Sequence, residues 1–136
     1  MIHKFRAWDK NQQIMRGVRG LFWTKNNLVA HCSPIGVKLD NFFTTILNDG
    51  EYHLMQSTGL FDKNSKEIFE SDIVEWEHKD TGQLVRGIVK YDTELGFWGM
   101  TDARFNGLRA IGYLANQKVT VLGNIYQNKE LVEELK

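Results

Sequence analysis

Cysteine is nearly absent from this chain: Cys32 stands alone among 136 residues, which excludes an internal disulfide and a thiolate metal cage. Proline is as scarce, with Pro34 the single example, and in Ser33-Pro34-Ile35-Gly36 it marks a loop or a sheet edge. No apolar run approaches the roughly 18 residues that a membrane helix needs. The opening Met1-Ile2-His3-Lys4-Phe5-Arg6 is too mixed for a secretory signal, so the cytoplasm is the expected compartment. Net charge is missing too, with 17 basic residues against 17 acidic, and whole-molecule charge does not favour a polyanionic partner.

What is present is a packed-domain composition, 42% hydrophobic and 12% aromatic, at a length that fits one domain. The charge is unevenly spread. Residues 1–50 hold seven basic and three acidic groups, and residues 51–80 hold three and eight. Local neutralisation is the plain reading of that split; a basic face for nucleic acid and a head-to-tail contact between subunits are the sharper ones.

The middle of the chain organises the rest. Leu54–Trp76 begins strand-like and turns at Thr58-Gly59. It crosses a polar loop from Asp62 to Glu67 and re-enters apolar territory at Ile68-Phe69. Asp72-Ile73-Val74 then launches a new strand. Before it, residues 2–9 suggest a strand of unsettled facing, Asp9–Gln13 a turn, and Ile14–Val18 a return strand. Lys25-Asn26-Asn27 separates two short apolar runs, Leu21–Trp23 and Leu28–Ala30. Phe42–Leu47 fits either helix or strand, and with Asn48-Asp49-Gly50 and Tyr52–Ser57 it reads as a hairpin.

Beyond it, Val74 and Trp76 are expected on one face of a strand, and Asp72, Glu75 and Glu77 on the other, solvated face. In the next strand Val85, Gly87, Val89 and Tyr91 oppose Leu84, Arg86, Ile88 and Lys90. Residues 102–117 suggest a helical turn or irregular loop, Lys118–Gly123 a strand, and 129–136 a short helix capped by Asn128. The expected fold is mainly β, or β-dominated α+β: a small barrel or packed sheets with an SH3-like order of elements in 72–123 and a C-terminal helix.

Three blocks carry a likeness to a known family: Phe5-Arg6-Ala7-Trp8-Asp9, Leu54–Leu60 running through Asp62-Lys63-Asn64 to Asp72-Ile73-Val74, and Val121–Asn128. In these the chain resembles the YopX family, small proteins encoded mainly by phages and prophages. The resemblance implies one β-rich, cytoplasmic, phage-associated domain over 1–136, divided as 1–57, a connecting loop 58–71, and 72–136. It also implies self-association, and it carries no established activity. Two departures stand out: Ser71 where the family has glycine before Asp-Ile-Val, and Lys129 where it has proline after asparagine.

Chemistry is thin. Asp62–Glu67 starts like a calcium loop, but Lys66 falls at the fifth ligand position and Ile73 at the twelfth, so a structural loop is expected. His3, His31, His53 and His78 share no metal spacing, and neighbouring His31 and Cys32 face opposite ways in a strand. Glu67, Glu70, Asp72, Glu75 and Glu77 read as a solvated face, with Asp72 able instead to accept backbone N–H groups. No cofactor, no metal and no enzyme are expected, metal-independent hydrolysis being the remote alternative.

The candidate binding residues are Arg86, Lys90, Tyr91, Phe97, Trp98 and Arg104, cations and aromatics close in sequence. Phe97 and Trp98 point to opposite faces, so one of them offers an outward platform. The expected function is a non-enzymatic accessory protein that binds a host or phage protein and forms homo-oligomers. The alternative is a nucleic-acid-binding module using the basic and aromatic surface.

Overall fold

A computed structural model describes residues 4–33, 45–78, 80–103, 107–112 and 118–135. The chain forms two compact units, Ile2–Gln56 and Ser57–Lys136.

The N-terminal unit contains β1 (Phe5–Asp9), β2 (Ile14–Thr24), β3 (Asn27–Cys32), β4 (Thr45–Leu47) and the first half of β5 (Tyr52–Phe61). All its ladders are antiparallel, in the order β4-β3-β2-β1-β5. Turn chemistry sets the first connections. Asp9 folds the chain back by accepting the N–H groups of Asn11 and Gln12 at 3.0 Å, and Gln13 takes a φ of +58°. Lys25, with φ +56°, turns β2 directly into β3.

The hairpin expected across Asn48-Asp49-Gly50 is not formed. β4 pairs with β3 and β5 pairs with β1, so the turn joins opposite ends of the strand order. Four strand spacings in a flat sheet amount to ~19 Å, yet a single turn, closed by Glu51 N–H on Asn48 O at 3.0 Å, spans only roughly 7 Å. The sheet must therefore curl. It bends where β2 carries a bulge between Val18 and Gly20, and its concave side is lined by small residues, Ala7, Ala30 and Cys32, with Leu47. Phe42 to Thr44 and Pro34 lie outside the described residues.

The C-terminal unit holds the end of β5, then β6 (Glu67–Phe69), β7 (Asp72–Glu77), β8 (Leu84–Asp92), β9 (Phe97–Thr101), β10 (Leu108–Ala110), β11 (Val119–Asn124) and α1 (Lys129–Glu134). Five of these form one open antiparallel sheet in the order β10-β9-β8-β7-β11; packed sheets, and not a closed barrel, are the architecture. Val74, Trp76, Val85, Val89, Met100, Ile111 and Val119 form its core with Ile68 from β6.

Four expectations change here. Thr58-Gly59 is a bulge inside β5, with Gly59 at φ +77°, held by Thr58 Oγ1 bonded to Ile68 O at 2.7 Å. The described part of 102–117 contributes a strand, β10, paired with β9. Asp72 is 1% exposed on the Val74–Trp76 face, as the two-residue period requires, and Asp72 Oδ2 accepts the Phe69 N–H at 2.8 Å. Asn128 precedes α1 but does not cap it through its side chain; Asn128 Oδ1 accepts the Asn124 N–H at 3.1 Å instead.

The polar loop of the central stretch has a clear structural task. Asp62 Oδ1 accepts the N–H groups of Asn64 and Lys66, both at 2.8 Å, and Oδ2 accepts that of Val121 at 3.0 Å. Lys63 N–H also reaches Val119 O at 2.9 Å. The outer edge of β11 is thereby covered, which removes a free template for strand addition. The carboxylate's acceptors are spent on backbone, as a structural loop requires.

Candidate functional site

Alternation along β8 and β9 places five of the six candidate residues. Val85, Gly87, Val89 and Tyr91 share the core-side face, Tyr91 still 44% exposed, and Leu84, Arg86, Ile88 and Lys90 share the other, as the pattern predicts. In β9, Met100 lies opposite Val89 and Trp98 opposite Tyr91. Trp98 is therefore the inward aromatic: it packs on the core and meets Tyr91 edge-on at 5.0 Å. Phe97 is the outward one, half-buried, with its ring over Gly99.

The structure thus separates Tyr91 and Trp98 from Arg86 and Lys90, on opposite faces. Arg86 is already engaged: Nε bonds Glu75 at 2.8 Å and a terminal nitrogen bonds Glu134 of α1 at 3.1 Å. The Glu75 hydrogen bond, with the charges of both glutamates, holds the guanidinium above its ordinary pKa. Lys90 is exposed and has no ion pair among the described residues. Arg104 lies outside the described residues.

The outward face of β7, β8 and β11 carries a second feature. Glu75, Glu77, His78, Leu84, Lys63, Lys118 and Thr120 line an open cleft of about 250 Å³. Glu75 sits across from both Arg86 and Thr120, and Glu77 across from Leu84. Leu84 is 57% exposed, an apolar wall among charges. His78 is half-buried, its ring 5.4 Å from that of Trp76, and His78 Nδ1 accepts the Asp80 N–H at 3.3 Å. Lys63 and Lys118 meet here because the Asp62 loop lies along β11, and no local sequence pattern signals a pairing 55 residues apart.

The N-terminal unit offers a different surface. Trp23 is 71% exposed beside the β2–β3 turn, and Phe22 and Ile46 are 52% and 54% exposed. Phe22 and Ile46 share the convex face with His31, whose ring meets that of Phe22 at a tilt of 54°, 4.5 Å between centres. Cys32 points the other way and is fully buried. Burial pushes its thiol pKa up, so the two neighbours are no nucleophile–base pair. Next to it Asp9, 2% exposed, accepts Arg16 Nε at 2.9 Å. Burial works to raise the Asp9 pKa, but the Gln12 N–H, the Arg16 guanidinium and the Asn11 N–H overcome it and leave it lowered.

Among the described residues no group of three or more His, Cys, Asp or Glu side chains is placed to hold a metal, and no helix is long and apolar enough to cross a membrane. The fold defines a small, mainly β protein that presents surfaces.

The family model described as YopX protein matches residues 4–133, and the chain belongs to the YopX family. The crystal structure of protein EF1440 from Enterococcus faecalis is similar over 97% of this chain and 99% of that one, with 30% identity and a TM-score of 0.62. No curated protein matches.

Proposed function

We propose that this chain is a phage- or prophage-encoded accessory protein of the bacterial cytoplasm that acts by binding protein, without chemistry of its own, and that self-association is part of its role. The observation that carries the reading is the set of exposed apolar side chains on the N-terminal unit, Phe22 and Ile46 on one face of its sheet and Trp23 on the other. Exposed aromatics with charge at their margins characterise protein interfaces. The nucleic-acid reading loses support because Arg86 is committed to two carboxylates and, of the candidate aromatics, Phe97 alone shares the face of Lys90.

Light scattering across a concentration series, at low and high salt, tests the proposal. A discrete oligomer that persists at high salt is expected. A monomer throughout overturns the self-association, and oligonucleotide binding that falls steeply with added salt overturns the protein-binding reading.

A further inference from the structure

The two units carry opposite net charge. Residues 2–56 contain seven basic and four acidic groups, and residues 57–136 contain ten and thirteen, so the balance is +3 against −3. Two copies meeting through the same N-terminal surface would set +3 against +3. Contact between the N-terminal unit of one copy and the C-terminal unit of another sets unlike charges together.

Each side of such a contact has a suitable feature. The tip of the β2–β3 hairpin projects Trp23, 71% exposed, two residues before Lys25. The cleft on β7, β8 and β11 has an apolar wall in Leu84 and carboxylates in Glu77 and in Glu75, the latter bonded to Arg86. Its volume of about 250 Å³ falls below the ~300–1,000 Å³ of sites that enclose a whole drug-sized ligand, which suits one large side chain. The ammonium groups of Lys63 and Lys118 have no ion pair among the described residues and complement the face of an indole.

We propose that the chain self-associates head to tail, the β2–β3 hairpin of one copy seating Trp23 against Leu84 in the cleft of a second copy, with Lys25 facing Glu77. This rests on the self-association reading above and names its surfaces. Because the two surfaces differ, every copy offers one free hairpin and one free cleft. Assembly then runs beyond the dimer, into a ring or a filament.

The test uses Trp23→Ala and Leu84→Lys, both at exposed positions, with circular dichroism confirming that each folds; Glu77→Arg replaces Leu84→Lys if that variant melts early. Wild type is expected to form species larger than a dimer. Each variant alone should associate at least tenfold more weakly. An equimolar mixture should form a one-to-one heterodimer, since each variant keeps the surface that the other lacks. Assembly of the cleft variant like wild type, or a mixture that stays monomeric while wild type assembles, overturns the proposal and leaves self-association standing. A monomeric wild type overturns both.

Discussion

Replacing Asp62 with asparagine removes one charge and one acceptor oxygen from a carboxylate that is 3% exposed. The side-chain oxygen of asparagine can still accept the N–H groups of Asn64 and Lys66. Its NH₂ group then faces the Val121 N–H, 3.0 Å from the replaced oxygen, donor against donor. A buried donor left without a partner costs about 1–3 kcal/mol. With a urea dependence of about 1–3 kcal/mol per molar, a loss of about 2 kcal/mol lowers the unfolding midpoint by roughly 1 M.

The pH dependence supplies a second readout. Burial works to raise the Asp62 pKa above 3.8, but the N–H groups of Val121, Lys66 and Asn64 and the Lys66 charge outweigh it and hold it lower. A carboxyl whose folded pKa is depressed contributes stability above its unfolded value, and that contribution is lost as pH falls through the folded value. The gap between wild type and D62N should therefore narrow from roughly pH 5 towards pH 2. Urea titrations across that range measure it. A variant within about 0.5 kcal/mol of wild type at pH 7, or a gap indifferent to pH, refutes the account of the loop.

Ser71 holds φ +72°, a left-handed conformation worth about 1–2 kcal/mol of strain in an L-residue. Ser71→Gly relieves it but frees the unfolded chain by about 0.4–1 kcal/mol, so thermal melts should show a modest gain, whereas Ser71→Val should lose stability. Gly87→Ala would set a Cβ 2.0 Å from the Thr101 carbonyl oxygen, and β9 must shift; overpacking of about 3 kcal/mol should appear in urea unfolding. Arg16→Met leaves the buried Asp9 carboxylate without its cation, at about 3 kcal/mol, read by the same titration.

Strands with one solvated face were legible from the residues. β8 alternates as its sequence says because its outer row, Leu84, Arg86, Ile88 and Lys90, is largely open to water. β1 was legible as a strand but its facing was not, because Ala7, Trp8 and Asp9 are all buried and a strand covered on both sides has no alternation to read. The join between β4 and β5 resembled a hairpin because a tight turn records only its own geometry. Which strands pair is decided by a curl that depends on small residues at positions 7, 30 and 32. The candidate patch split for a related reason: nearness in sequence grouped Arg86, Lys90, Tyr91, Phe97 and Trp98, and strand parity left Phe97 with the two cations and put Tyr91 and Trp98 on the other face. Trp23 was visible as part of an apolar run, but its exposure follows from its place beside a turn.

The Asp62–Val121 bond joins residues 59 apart, and β11 is the last strand in the chain. Synthesis runs from the N-terminus, so β7 is made more than forty residues before its partner. Throughout that interval β7 shows unpaired N–H and C=O groups on one edge, and Asp62 has no Val121 to bind. Non-local pairing of this kind slows folding and leaves nascent chains open to wrong partners. A chain that ends before residue 119 would keep that edge bare, and precipitation, rather than a partly folded monomer, is its expected fate.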